Sequence, residues 1–331
     1  MNWEGFYENL NGIKAFKNER ISIIQDLMAK RDKLRESVSK MFTIRKVKEG
    51  RYMSVGAVDS AFAELCRDNW GRRLYGICVA GRSFIPSDGY KVKEPRILRD
   101  ANTINYKEDE NYRRILEGLA IAKEIHSAME WFSNMELILI DGAAKSSIIA
   151  INQAMTYKNL ENSVSGRELK AIYKETLNAL YDMLNMRVVV FAPKVSSEVL
   201  IAKKISPLLD NDYALLEFVL DKGEYIMIEE DIIQEEQKWN YTLPKIEGVT
   251  DEFLLKLFRE LKNLRTIYFK SKAGTIVKLE TYLPSSVDTL WDFYRSRGEN
   301  MLTYTADRKA KDYLKQLKKY ANENNPWKYR I

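Results

Sequence analysis

Residues 135–143 read MELILIDGA, an apolar run that ends in an aspartate and is followed by small residues. A short, fully apolar run of this kind predicts a buried β-strand that ends at Asp141. Residues 53–60 read MSVGAVDS and predict a second strand that ends at Asp59. If these strands are parallel neighbours, both carboxylates meet at one edge of the sheet, where the small following residues leave room for a ligand.

Two carboxylates that meet at a sheet edge repel each other unless a cation lies between them. The chain has a single histidine, His126, inside a helical pattern, and its cysteines, Cys66 and Cys78, form no CxxC pair. Sites with several imidazole ligands and zinc knuckles are therefore excluded, and carboxylate oxygens favour Mg²⁺ or Mn²⁺. For Asp59 or Asp141 taken alone, a role in a turn or a helix cap stays an open alternative.

The pattern between residues 50 and 194 predicts an α/β architecture, a mixed sheet with helices over it. The order is β-β-β-α-β-α-β, and Pro95 marks the third strand as an edge or exit. The predicted strands are 53–60, 74–84, 89–98, 135–141 and 187–194, the loop is 142–147, and the helices are 109–132 and 166–184.

The regions before and after residues 50–194 have other sequence patterns. Apolar residues recur at helical spacing over residues 17–41, and this stripe packs either on the body or on a second copy of the chain. The C-terminal half contains a solvated acidic stretch, a hairpin and two closing helices, at 229–237, 265–283, 286–297 and 306–322. We therefore expect an N-terminal helical segment, a core and an additional α+β region, over residues 1–45, 46–205 and 206–331.

A third acidic ligand is expected on the helix between the two aspartate-bearing strands. Glu117 lies between apolar neighbours in YRRILEGLA, and Gly118 allows another backbone to approach closely. We prefer Glu117 over the other candidates, which are Glu124, Glu130 and Glu136. Lys194 ends the strand RVVVFAPK and either contacts a scissile phosphate or is a surface lysine before a helix.

Composition sets the broad class. The 331 residues are 45% apolar and 30% charged, with a net charge of +6, as in a globular protein with a mild preference for anionic partners. No stretch approaches the roughly 20 apolar residues of a membrane span, and the N-terminus has no apolar signal core. We expect an intracellular, cytoplasmic protein without a membrane segment.

In order and spacing, several segments between residues 50 and 312 resemble the NurA nuclease family of archaea and some bacteria. They are SVGAVDSAF, LYGICVAG, YRRILEGLA, LILIDGA, VVVFAPKVSSEVL, RTIYFK, IVKLETYLP and YTADRKA. The resemblance implies an RNase H-like core, Mn²⁺ or Mg²⁺ as cofactor, and hydrolysis of DNA. It also implies a homodimer with a central channel that acts with a hexameric HerA-type helicase-translocase.

The resemblance carries over to single residues. Asp59 matches the first strand aspartate, although the family's Asp-Gly-Ser is Asp-Ser-Ala here. Asp141 matches the second, with Ala143 where relatives have serine. The family's helix glutamate, strand-end lysine and C-terminal metal-proximal residue fall on Glu117, Lys194 and Asp307. Asp307 also fits the role of an acid in the first turn of a helix.

The resemblance implies 5′-to-3′ exonuclease and single-strand endonuclease activity in DNA end resection and double-strand break repair. Asp59, Glu117 and Asp141, with Asp307, would hold the metal, and Lys194 would stabilise charge on the phosphate. One alternative is a non-catalytic DNA-binding or assembly subunit with the same fold. Another is a glycosidase with paired acids, although the tryptophans are scattered along the sequence and form no aromatic cluster.

Overall fold

A long central strand, β2 (Val55–Arg67), organises the computed structural model of the chain. Its apolar residues point alternately to two buried layers, one on each face of a nine-stranded sheet. The structure describes residues 17–18, 21–22, 25–48, 52–67, 72–87, 89–103, 109–157, 160–193, 201–205, 211–228, 249–295 and 298–323.

Within these residues the other strands are β1 (Arg45–Lys46), β3 (Arg72–Ile85), β4 (Gly89–Thr103), β5 (Leu137–Asp141), β6 (Val189–Ala192), β7 (Glu224–Ile228), β8 (Arg265–Lys270) and β9 (Ile276–Thr281). The α-helices are α1 (Arg31–Met41), α2 (Asp109–Phe132), α3 (Ala144–Met155), α4 (Val164–Asn185), α5 (Ala202–Ile205), α6 (Asp212–Val219), α7 (Asp251–Lys262), α8 (Ser286–Leu290) and α9 (Met301–Glu323). Short 3₁₀ turns cover Leu160–Asn162 and Trp291–Phe293.

The strand order is β1-β7-β8-β9-β6-β5-β2-β3-β4. β2, β3 and β4 form an antiparallel meander, and β5 and β6 add to β2 as parallel strands. Parallel pairs need a crossover on one face of the sheet, which α2 provides between β4 and β5 and α3 with α4 provide between β5 and β6. This arrangement, an antiparallel meander extended by two parallel strands, is the RNase H-like α/β core that the sequence predicts.

Helices cover both faces of the core. α2, α3, α4 and α7 bury one layer, in which the largest side chains include Phe132 and Tyr173. α9 crosses the opposite face of β2 and β3, where Ala310 and Leu314 pack on Ala61 and Leu65. The antiparallel strands β7, β8 and β9 continue the sheet beyond β6. The predicted boundaries between the three regions stay predictions, since strands on both sides of residue 205 join one sheet.

Part of the N-terminal helical stripe packs on the body. Leu34 and Val38 of α1 lie in a buried cluster with α6, whereas Met28 and Met41 are exposed. None of the helices in the described residues combines the length and the apolarity that a bilayer-spanning segment needs.

Three local predictions were wrong. β2 does not end at Asp59, because its pairing with β3 continues to Arg67. The predicted loop 142–147 is largely the first turn of α3, which begins at Ala144. The first closing helix is shorter than predicted, since α8 ends at Leu290 and a 3₁₀ turn follows. The acidic stretch 229–237 lies outside the described residues.

Candidate active site

Asp59 and Asp141 lie side by side. The parallel register pairs Val58 with Ile140, the last pair of the β2–β5 ladder, so the next residues on the two strands are the two aspartates. The paired backbone ends at Val58 and Ile140, so the two aspartates are the first residues beyond the ladder. The juxtaposition that the strand patterns predict is therefore present, although Asp59 lies within its strand rather than at its end.

Both aspartates point to the face of the sheet that α9 covers. Val58 and Ile140 belong to the layer under α2, whereas Ala57 and Leu139 belong to the opposite layer. Because side chains alternate along a strand, the residues that follow Val58 and Ile140 share the face of Ala57 and Leu139. Asp59 is 8% exposed and accepts a hydrogen bond from the Ser60 amide at 2.7 Å.

α9 passes over this pair. Leu302 packs in the cluster that contains Ala57, and Ala310 packs in the cluster that contains Ala61. The helix is therefore level with Asp59 between these two contacts. Asp307 lies in that part of α9, with its side chain 18% exposed and paired with Lys311 at 2.7 Å. Asp307 lies beyond the first turn of α9, which begins at Met301, so a first-turn capping role does not explain an aspartate at this position.

Tyr294 adds a buried phenol beside Asp141. Burial raises the pKa of Tyr294 well above its ordinary value, and the negative charge of Asp141 raises it further, against the lowering effect of a hydrogen bond with Asn300. Tyr294 forms an isolated antiparallel β-bridge with Asn300, which directly precedes α9. The phenol consequently stays protonated at neutral pH and can donate a hydrogen bond in the site.

The helix carboxylate nearest the pair is Glu124. It is 5% exposed, and its Oε2 accepts a hydrogen bond from Ser60 Oγ at 3.0 Å, directly beside Asp59. Glu117 lies two turns earlier, about 10 Å along the helix axis. It is exposed and lines a surface pocket of about 210 Å³ between α2 and α3. The structure thus places Glu124 next to the residue that follows Asp59 and Glu117 at the surface, and the choice of Glu117 as third ligand stays a prediction.

Gly118 explains why Glu117 has apolar neighbours without being buried. A Cβ at Gly118 would lie 2.4 Å from the Cβ of Ala154, so the glycine allows α2 and α3 to approach closely. The close approach predicted at this glycine is confirmed, and it serves helix packing. Of the remaining candidates, Lys194 lies outside the described residues, and His126 is a half-buried residue within α2.

The described side chains allow a test of whether a divalent ion fits. Across the described ranges, no group of three or more His, Cys, Asp or Glu is arranged to hold an ion by itself. Mg²⁺-like ions keep several waters and use one or two carboxylates together with substrate phosphates. The pair Asp59 and Asp141 meets that requirement.

The sequence gives only weak signals for three features of this region. Glu124 and Glu117 lie on one helical stripe, so their spacing alone does not separate them. Tyr294 carries no motif of its own. Lys278 and Glu280 form an ion pair of 2.8 Å, with side chains 4% and 14% exposed, although both lie in a strand. Two charges at alternate positions of the apolar run IVKLETYL were the available signal, because they share one face of a buried strand.

The chain has the RNase H-like fold, and solved NurA structures share this fold over nearly their full length. The NurA nuclease from Sulfolobus solfataricus superposes with a TM-score of 0.61 and 14% identity, covering 98% of both chains. A NurA structure with manganese gives 0.55 and 13%, covering 95% of this chain and 98% of the other. No protein-family profile and no curated protein sequence matches this chain.

The predicted RNase H-like core, with an additional α+β region, is thus confirmed. At these identities the likeness establishes the fold.

Proposed function

We propose that this protein is a metal-dependent DNA nuclease of the NurA type. The observation that carries the proposal is the in-register pair Asp59 and Asp141 on one face of an RNase H-like sheet. The fold is shared with a nuclease, and one of the similar structures contains manganese. An anionic substrate is consistent with the net charge of +6.

In the proposed site, Mn²⁺ or Mg²⁺ would be held by Asp59 and Asp141, and would supply Lewis-acid stabilisation of the phosphate and a water of lowered pKa. Glu124, on the α2 face of β2, would act through its hydrogen bond with Ser60, the residue after Asp59, and would help to hold Asp59 in position. Tyr294 keeps its proton and donates a hydrogen bond near Asp141. Asp307 is level with Asp59 and can hold an outer-sphere water, while Lys194 stays the proposed contact to phosphate charge.

Cationic side chains near the site support an anionic substrate. Arg295 and Arg308 both stack on Tyr304, with guanidinium carbons 4.5 and 6.0 Å from the ring centroid. Stacking holds the two guanidinium groups in place while leaving their N–H groups available for phosphate oxygens. α9 also presents exposed cations along its length: Arg308, Lys309, Lys311, Lys315, Lys318 and Lys319.

The finer activity belongs to the same proposal. By resemblance, the protein digests single- and double-stranded DNA in the 5′-to-3′ direction, cuts single strands internally, and acts in end resection. It would do so as a homodimer with a HerA-type hexameric translocase. The exposed apolar residues Ile21, Met28 and Met41 of the N-terminal helical region offer a surface for such assembly.

The experiment compares single-stranded and double-stranded DNA cleavage by wild type and three variants in Mn²⁺ and in chelator. Asp59→Asn and Glu124→Gln should each lower the cleavage rate at least about 100-fold, as expected for loss of a metal ligand or its partner. The matched control Glu117→Gln, on the same helix stripe, should stay within about threefold. Equal rates in wild type and Asp59→Asn, or cleavage that persists in chelator, would refute the proposed site.

Assembly has a separate test. Light scattering should give about twice the chain mass of 38.6 kDa. Adding a HerA-type translocase should increase cleavage only when ATP is present. A monomer without stimulation would remove the assembly part of the proposal and leave the metal site in place. A chain that binds DNA without cleaving it would support the alternative, a non-catalytic binding subunit.

A further inference from the structure

Lys278 and Glu280 form a buried ion pair in β9, close to the helix start that follows β5. Glu280 Oε1 lies 2.8 Å from Lys278 Nζ, and Lys278 is 3% exposed as a residue. The other oxygen, Oε2, accepts a hydrogen bond of 2.8 Å from the backbone amide of Ala144. Ala144 is the first residue of α3, the helix that follows Asp141 after a two-residue turn.

The helix start explains why a remote acceptor is needed. The residue before α3, Ala143, has no side chain able to cap the helix, and none caps it. The first amides of a helix lack intrahelical partners and favour a negative charge nearby. Glu280 supplies both an acceptor and a charge, from a position 136 residues further along the chain.

The turn itself is tightly defined. Gly142 has φ +97°, and its amide donates to the Ala192 carbonyl of β6 at 3.4 Å. With one residue in the left-handed region and the next amide held by Glu280, little freedom remains between α3 and Asp141. The direction of the Asp141 carboxylate is therefore coupled to the Glu280 hydrogen bond.

Burial of the Lys278–Glu280 ion pair carries a desolvation penalty. Taking two charges out of water costs several kcal/mol per ion, and apolar replacements of such pairs are often neutral or stabilising. A stability role alone therefore accounts poorly for a lysine that is almost fully buried in a strand. The pair lies beside the turn that follows Asp141, one of the two proposed ligands, and this position indicates a role in the site.

We propose that Glu280 is a positioning residue for Asp141 and that Lys278 holds the Glu280 side chain in the direction that this role requires. This inference rests on the proposed metal site and extends it to residues that touch neither metal nor substrate. Loss of partners behind metal ligands typically lowers metal affinity or activity 10- to 100-fold. A misplacement of about 1 Å costs a similar factor in rate.

The test uses paired double variants of the full chain. Lys278→Met/Glu280→Gln removes both charges but keeps an acceptor for the Ala144 amide. Lys278→Met/Glu280→Leu removes the acceptor as well. Mn²⁺ affinity is measured by calorimetry with the metal alone, and amide hydrogen exchange is followed over residues 142–147. The acceptor-free variant should bind Mn²⁺ about 10- to 100-fold more weakly and exchange faster in this segment, and the Gln variant should recover most of both.

A matched pair elsewhere in the sheet provides the control. Glu224 likewise accepts a backbone amide, that of Asp221 at 2.8 Å, and pairs with Arg35 at 2.8 Å. Arg35→Met/Glu224→Leu should leave Mn²⁺ affinity and exchange over residues 142–147 unchanged. If Lys278→Met/Glu280→Leu does not fold, Lys278→Val/Glu280→Val, which also lacks an acceptor and has strand-forming residues, takes its place.

The outcomes separate the two proposals. Unchanged Mn²⁺ affinity and exchange in the acceptor-free variant would overturn the positioning role. Faster exchange over residues 142–147 with wild-type Mn²⁺ affinity would also overturn it, because the turn would then be uncoupled from the metal. Wild type that binds no Mn²⁺ and cuts no DNA would instead overturn the proposed function on which the inference rests.

Discussion

Removing one of the two adjacent carboxylates should have opposite effects on stability without and with metal. The perturbation is Asp141→Asn, which keeps the size of the side chain and removes its charge. Asp59 and Asp141 directly follow the last residue pair of the β2–β5 ladder and lie on one face of the sheet, so we take their charges to be about 5 Å apart, close to the spacing of neighbouring strands. Two unit charges at about 5 Å repel by about 0.8 kcal/mol in water and about 3 kcal/mol at an effective dielectric constant of 20.

Asp141 is half-buried, so we take the lower part of this range, about 1 kcal/mol. In chelator, Asp141→Asn should therefore unfold about 2 °C above wild type. In Mn²⁺ at 100 times the dissociation constant, wild type gains about 2.7 kcal/mol from binding, and the variant loses most of this gain. The order of the two melting temperatures should consequently reverse.

The assay is differential scanning calorimetry at low salt, first in chelator and then across a Mn²⁺ titration. Asp312→Asn is the control, because its carboxylate pairs with Lys315 at 3.6 Å on the surface of α9. It should change stability by less than about 1 kcal/mol and keep the full Mn²⁺ response. A destabilised Asp141→Asn in chelator, or equal Mn²⁺ shifts in variant and wild type, would refute the reasoning.

Two further predictions concern the scaffold. Gly118→Ala should destabilise the protein by about 1–3 kcal/mol in urea unfolding, because the new Cβ would lie 2.4 Å from that of Ala154. This loss is expected although alanine is the better helix former. Glu117→Ala, at the exposed neighbouring position, is the control, and a Gly118→Ala variant more stable than wild type would contradict the close packing. Glu224→Gln should cost about 1.5–3 kcal/mol at pH 7, since the carboxylate pairs with Arg35. The hydrogen bond from Arg35 lowers the pKa of Glu224, so its stabilisation is present above the unfolded value near 4.3 and is lost as pH falls through the lower folded value. The stabilities of the two proteins should converge once the pH has fallen below the lowered folded pKa of Glu224, and a difference that does not shrink as the pH falls below the unfolded value would contradict this origin.

Sequence patterns predict the core because its elements have strong periodicity. The helix expected at 109–132 is α2 with the same bounds, and the hairpin in the C-terminal half is β8 and β9. Pro95 lies in the edge strand, opposite an irregularity between Val79 and Gly81, as expected for a residue that cannot donate to a ladder.

Other elements could not be predicted, because tertiary contacts define them. α3 begins at an alanine without a capping side chain, and its cap comes from Glu280 on a distant strand. Glu124 could not be singled out for the same reason, because its hydrogen bond is with Ser60 on β2 and not with its neighbours in the helix. Local sequence reports propensity, whereas these two positions are decided by long-range hydrogen bonds.

β2 continues beyond the end of its pairing with β5, and the proposed site lies where that pairing ends. The ladder to β5 ends at the pair of Val58 and Ile140, while the ladder to β3 continues to Arg67. In the described part of the sheet, β2 therefore has a neighbour on one side only from Asp59 onward. α2 brings Glu124 to this step from one face, and α9 crosses it from the other. The end of the β2–β5 ladder therefore has Glu124 on one face of the sheet and Asp59 on the other. We therefore expect the strand register to bring the two aspartates together before a metal ion binds.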